Sequence, residues 1–283
     1  MRRATKEVNM IRCTVISGTQ QEGKEMEEPS KVEVLRLGVL IPAYNESAHL
    51  PSVIRACRAV EPSVILVVDD ASSDETIDVL RQEEARCRTG TPLCWERCEV
   101  NLGKQGAVRR GLQVLRPMDL DAVALLDGDG QHNPADLPRL CGLVRQGYEM
   151  VIGLRDRGEM PLERRIANWL VNRCFAWVGG VDFGDVQSGL RLYSKQLADV
   201  LAERLPERGR YALEHESLAA LAEYAREQGR DIPAAAAKIR CRYGVSRSNI
   251  AGRDVRQLVL ETVRQALRLR LAAWESLAPE GAR

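Results

Sequence analysis

No stretch of the 283-residue chain approaches 18 uninterrupted apolar side chains, about the length a membrane-crossing helix needs. No secretory signal is evident. Charge of one sign is lacking too: 41 Lys and Arg against 40 Asp and Glu leave a net +1. That balance gives no global basic field, so no nucleic-acid partner is expected. Internal repeats are absent. The pattern of a disulfide framework is also missing. Eight cysteines (13, 57, 87, 94, 98, 141, 174 and 241) are scattered through expected helices and strands, which reads as reduced thiols in a chain of this length. Cys94 and Cys98 come closest together, but one such pair with no second ligand pair nearby is poor zinc evidence.

What is present is ordinary for a globular domain: 45% apolar and 29% charged residues. The length suits one large α/β domain or a domain with an appendage. Residues 1–36 are polar and patternless, and read as a disordered or loosely attached leader. Residues 37–250 carry the domain. Residues 251–283 hold an amphipathic basic helix over 253–277, with Arg253, Arg256, Arg264, Arg268 and Arg270 against an apolar stripe. Such a helix packs on its own domain or on a second subunit as a homodimer, or lies peripherally on an anionic membrane.

Short apolar runs alternate with helical periodicity along the domain. Leu37–Ile41 and Val64–Val68 are strands, with another near Trp95–Val100 and a fourth at Ala122–Leu126. Continuous apolar strands indicate burial on both faces, as in a parallel sheet. Ser72 stands three residues before Glu75 and predicts a capping box. Glu149–Gly153 and Leu190–Tyr193 are further strands, helices follow at 195–204 and 214–228, and 231–243 holds one more strand despite an alanine run. Polar residues follow every early strand: Tyr44 and Glu46, Asp69 and Asp70, Lys104, then Asp127 and Asp129. The fold brings such loops to one sheet edge, where ligands bind in open α/β proteins.

The Asp127-Gly128-Asp129-Gly130-Gln131 run dominates that edge. Two carboxylates and a carboxamide on one loop offer hard oxygen ligands, which suit Mg²⁺ or Mn²⁺ with substrate phosphates completing the shell. An Asp/Gly-rich turn without an ion is the plain alternative. Glu214 and Glu216, flanking His215, read as an exposed helix start favoured by the helix dipole rather than as catalytic groups. His132 and His49 read as solvated or packed.

Six motifs occur in order: Ile41-Pro42-Ala43-Tyr44-Asn45-Glu46, Val68 to Asp74, Asn101-Leu102-Gly103-Lys104-Gln105-Gly106, Asp127 to His132, Asp185-Val186-Gln187-Ser188-Gly189-Leu190-Arg191, and Tyr243-Gly244-Val245-Ser246-Arg247. Together they resemble the family 2 glycosyltransferases of the GT-A fold, in the dolichol-phosphate mannosyltransferase-like, polyprenyl-phosphate sugar transferase branch. The resemblance implies a mostly parallel central sheet flanked by helices. It implies that Pro42, Tyr44 and Glu46 hold the donor nucleoside, and that Asp70 meets the base or ribose. Asp127, Asp129 and Gln131 would hold metal and diphosphate. Arg155 and Arg247 would meet donor phosphate, and Arg164 the acceptor phosphate. The family usually has Lys at the Arg247 position, and often Ala and Leu where this chain has Gly128 and Gly130.

The implied activity is inverting, metal-dependent transfer of a hexose from a GDP-mannose or UDP-glucose type donor to a polyprenyl or dolichol phosphate at the cytoplasmic membrane face. An anionic acceptor needs no strong base. A hydroxyl acceptor does, and Asp185 is the candidate, with a structural loop cap as its plain alternative. Transfer to a soluble hydroxyl acceptor, or a nucleotidyltransferase-like protein that binds nucleotide-sugar, are the alternatives. Pro42–Glu46 stands where nucleotidyltransferases carry a Gly-rich basic signature, which counts against the latter.

Overall fold

The computed structural model describes residues 11–16, 35–86, 90–155, 173, 188–209 and 213–242. Eight strands form one sheet: β1 (Ile11–Ile16), β2 (Leu37–Ala43), β3 (Val64–Asp69), β4 (Leu93–Arg97), β5 (Ala122–Leu125), β6 (Met150–Arg155), β7 (Arg191–Ser194) and β8 (Ile232–Ile239). Their spatial order is β1-β8-β6-β7-β5-β2-β3-β4. Every pairing is parallel except those of β7, which runs antiparallel to both β5 and β6. The helices are α1 (Leu50–Arg58), α2 (Thr76–Arg86), α3 (Gly103–Leu115), α4 (Leu137–Arg145), α5 (Lys195–Arg204) and α6 (Leu213–Gln228).

Strand alternation divides the core in two. Leu40, Leu66, Val68, Val123 and Leu125 point to one face, under α3, α5 and α6. Val39, Ile41, Ile65, Val67 and Ala124 point to the other, under α1 and α4. Both faces are covered, which explains why β2 and β3 read as unbroken apolar runs. Pro42 is tolerated in β2 because pairing with β5 ends at Leu40 and Leu125, so its missing N–H lies beyond that ladder.

Two expectations need correcting. Part of the expected leader is ordered: Ile11–Ile16 forms an edge strand along β8. A strand of six residues (Ile-Arg-Cys-Thr-Val-Ile) with one partner and one buried end carries little periodic signal. The capping box at Ser72 does not form. Asp74 Oδ1 instead accepts the Thr76 N–H at 3.0 Å, while the Ser72 hydroxyl is used across loops, accepting the Asn45 N–H at 2.8 Å. The expected helices over 162–178 and 253–277 lie outside the described residues, apart from Arg173.

Candidate functional site

The described loops after β2 and β3, at the carboxyl edge of the sheet, are tied to each other. After β2, Asn45 turns the chain at φ 57, a left-handed conformation that Asn adopts more readily than most residues. The Ser73 N–H donates to Asn45 Oδ1 at 2.8 Å. The Glu46 N–H donates to Thr76 Oγ1 at 3.1 Å and the Ser47 N–H to Asp74 Oδ2 at 3.1 Å. The loops after β2 and β3 therefore move as one. The Glu46 side chain lies 3.2 Å from His49 Nδ1. Burial pushes its carboxyl above the ordinary range, against the pull of that hydrogen bond. Tyr44 is exposed.

Asp70 is buried and spends its carboxylate on the third loop. Its two oxygens accept the backbone N–H groups of Leu102 at 2.6 Å and Gly103 at 2.8 Å, capping the start of α3. That cap orients Lys104. The Lys104 ammonium sits 2.9 Å from Asp127 Oδ1 and 2.8 Å from Glu214 Oε1. One cation thus joins the Asp loop after β5 to the start of α6. Burial disfavours charge on all three groups, but mutual attraction outweighs it. Lys104 is held above its ordinary range, and Asp127 and Glu214 below theirs. The start of α6 is therefore not the exposed helix end expected from sequence: Glu214 is ion-paired and His215 is buried.

Asp129 behaves differently. Burial and the neighbouring Asp127 charge raise its carboxyl, with the Gln131 N–H, 3.0 Å from Oδ1, pulling the other way. Among the described residues no salt bridge reaches it. Two carboxylates and the Gln131 carboxamide share this loop, so a divalent cation fits chemically, relieving the like-charge stress on Asp129. No group of three or more His, Cys, Asp or Glu side chains with metal-holding geometry exists among the described residues, so donor phosphate oxygens would have to complete such a shell. The two glycines suit the loop. Gly130 adopts φ +72, which glycine takes at no steric cost. A Cβ on Gly128 would lie 3.3 Å from the Pro42 carbonyl, tying the Asp loop to the first motif.

Described residues of and beside the remaining motifs lie near the same loop. Arg155, at the end of β6, is near enough to help lower Asp127. Gly189 packs so closely that a Cβ there would sit 2.1 Å from Asp127 Oδ2. Arg191, fully buried, donates to the Ser188 carbonyl at 3.0 Å, the Glu214 carbonyl at 3.0 Å and Ser217 Oγ at 3.1 Å. Past β8, the Arg242 N–H donates to the Gln131 carbonyl at 2.8 Å, and His132 pairs with Cys241 in an antiparallel bridge. His132 is packed, not solvated, and burial lowers its pKa against the two aspartates. The structure thus gathers Pro42, Tyr44, Glu46, Asp70, Asp127, Asp129, Gln131 and Arg155 at one edge. Asp185, Arg164 and Arg247 lie outside the described residues. Sequence reasoning assigned no role to Lys104 or Arg191, although both stood within quoted motifs.

With that geometry in hand, comparison with known proteins is informative. The family described as Glycosyl transferase family 2 matches residues 38–187, more than half of the chain. An uncharacterized protein of Methanocaldococcus jannaschii is 31% identical over 63% of this chain and 72% of its own length. An undecaprenyl-phosphate 4-deoxy-4-formamido-L-arabinose transferase of an Enterobacter species is 32% identical over 61% of this chain and 53% of its own. A UDP-N-acetylglucosamine–dolichyl-phosphate N-acetylglucosaminyltransferase of Methanococcus voltae is 29% identical, covering 59% and 72%. The chain spans about half the length of the formamidoarabinose transferases it matches. Among solved structures, glucosyl-3-phosphoglycerate synthase from Mycobacterium tuberculosis, crystallised with Mn²⁺, uridine diphosphate and phosphoglyceric acid, superposes with a TM-score of 0.59 at 20% identity, over 82% of this chain and 78% of that one. That likeness bears out the expected GT-A fold.

Proposed function

Because the chain belongs to glycosyl transferase family 2 and is therefore a glycosyltransferase, we propose that it moves a hexose from a nucleotide-diphosphate sugar to a polyprenyl phosphate, with inversion at the anomeric carbon. The observation that carries the donor half is the unequal pair of carboxylates. Asp127 is paired with Lys104, while the half-buried Asp129 beside it has its charge disfavoured. Such a site gains most from a cation that arrives with a diphosphate. The acceptor half draws on the relatives whose names specify undecaprenyl and dolichyl phosphates.

Displacement at the anomeric carbon leaves a diphosphate on which negative charge develops. Asp127, Asp129 and Gln131 would hold an Mg²⁺ or Mn²⁺, which would supply charge neutralisation there. Arg155 adds a cation fixed at the end of β6, and Arg247 is proposed to do the same from its loop. The Pro42–Glu46 loop, locked to the β3 loop, offers a rigid seat for the nucleoside. A lipid phosphate is already anionic near pH 7, so its oxygen attacks without a strong base, and positioning does the work. Arg164 is proposed to grip that phosphate. No described helix is long and apolar enough to cross a membrane. We propose that contact with the lipid is peripheral, through residues 253–277.

A donor panel of GDP- and UDP-hexoses tests the reading, with undecaprenyl phosphate, dolichyl phosphate and soluble hydroxyl acceptors. Products are read by mass spectrometry with and without chelator. The expected result is a lipid-phosphate hexose formed only with metal. Product on a soluble hydroxyl acceptor alone, or full activity in chelator, overturns it.

A further inference from the structure

The outer edge of the sheet holds an unusual arrangement. β8 contains Ala234 to Ala237, all fully buried, and alanine is a poor strand former. Its order therefore comes from pairing on both sides: β6 on the inside, and β1 on the outside, where Ile11 to Ile16 pair with Ile232 to Ala237. Ile11 is buried in the core shared with α6, and Arg12 reaches Asp231 at 3.1 Å. Neither β1 nor β8 lies within the stretch that matches the family.

The chain leaving β8 runs against the Asp loop that follows β5. Immediately after it, the Arg240 N–H donates to Asp136 Oδ2 at 2.9 Å, Cys241 bridges His132, and the Arg242 N–H donates to the Gln131 carbonyl. α4 is also pinned to this strand, through Arg139 and the Lys238 carbonyl. These contacts set the outer wall of the loop that carries Asp127 and Asp129.

We propose that β1 is a positioning element for the candidate site. Strand addition along β8 fixes where residues 240–242 fall, and so holds the Asp127–His132 loop in place. The inference concerns the chain's own order and stands whatever the donor or acceptor.

The test uses the full chain carrying Cys13→Pro and Thr14→Pro together. Successive strand residues face opposite edges, so one of the two must remove a ladder N–H toward β8. The readout is site-resolved alkylation of cysteines by mass spectrometry, with deuterium uptake over 127–133. Cys57, buried in α1, serves as the internal reference. Labelling of Cys241 is expected to rise about tenfold, on the scale of one lost ladder hydrogen bond, with faster uptake over 127–133 and unchanged labelling of Cys57. Unchanged Cys241 labelling overturns the proposal. An equal rise at both cysteines also overturns it, because β1 would then serve global stability alone. Should the proline variant not fold, Arg12→Glu gives a milder break at an exposed residue. It should raise Cys241 labelling about twofold, as expected for a surface ion pair, and the swap with Asp231→Arg should restore it. No change in Arg12→Glu, or no restoration, counts against the proposal.

Discussion

Asp70 and Asp129 both follow buried strands, at the same edge of the same sheet, and their fates are opposite. Asp70 gives each oxygen to a backbone N–H at the start of α3. Asp129 accepts one N–H, and partial burial together with the neighbouring charge of Asp127 raises its carboxyl. The half of the edge built on β2, β3 and β4 is closed by its own hydrogen bonds. The half built on β5, β6 and β8 carries uncompensated charge. A closed network organises, whereas stored like-charge repulsion is relieved only by something that binds. The division separates rigidity from charge more sharply than residue type does, since both residues are aspartates.

The contrast breaks most visibly at Asp129. Asp129→Asn is expected to lower sugar transfer about 100- to 1,000-fold, the scale of losing one preorganised electrostatic group. It should also raise stability at pH 7. The folded pKa of Asp129 lies above its unfolded value of 3.8, so the folded protein keeps a proton that the unfolded chain has released. Stability then falls as pH rises from the unfolded value through the folded one. Thermal melts of the two proteins should differ at pH 7, the variant melting higher, and converge below about pH 4. Mn²⁺ should raise the wild-type melting temperature and leave that of Asp129→Asn unchanged. A variant that melts lower at pH 7 would show Asp129 to be scaffold after all.

Lys104→Met tests the neutralised partner. It leaves Asp127 and Glu214 facing each other without their cation, costing about 3 kcal/mol, the low end for a broken buried pair because these side chains keep some water contact. Both acids are held below the ordinary range, so their contribution is present above the unfolded pKa values and fades as acid takes pH through the folded ones. The deficit of the variant in denaturant melts should accordingly be full at pH 7 and shrink in acid. Asp70→Ala, on the closed half, should cost about 1–2 kcal/mol through loss of the α3 cap. Its transfer activity should fall less than that of Asp129→Asn.

The parallel βαβ half was legible because strands buried on both faces show as unbroken apolar runs, and the Asp loop was legible because it follows one of them. Lys104 and Glu214 are 110 residues apart, and no local pattern pairs a lysine with a glutamate at that distance. Arg191 sat inside an expected strand, where its guanidinium gave no hint of reaching α6. β1 lacked signal because it is short and single-sided, whereas β8 was expected within 231–243 in spite of its alanine run. Ser72 misled because a serine three residues before a glutamate fits a helix cap, while its hydroxyl was already committed to Asn45.

That commitment supplies the smallest and most discriminating change. Ser72→Ala removes the acceptor of the Asn45 N–H while leaving Ser73 on Asn45 Oδ1 and Thr76 on the Glu46 N–H. One neutral hydrogen bond is worth about 1 kcal/mol, so the melting temperature should drop by about 2–4 °C. If the closed half serves only as scaffold, calorimetric affinity for UDP or GDP with Mn²⁺ stays within about twofold of wild type, a change below 0.5 kcal/mol. If the locked β2 and β3 loops form the nucleoside seat, affinity falls more steeply than stability, because Glu46 and Tyr44 lose their fixed position together. The second result is expected. It would show that the two halves of the edge divide the labour by rigidity on one side and charge on the other.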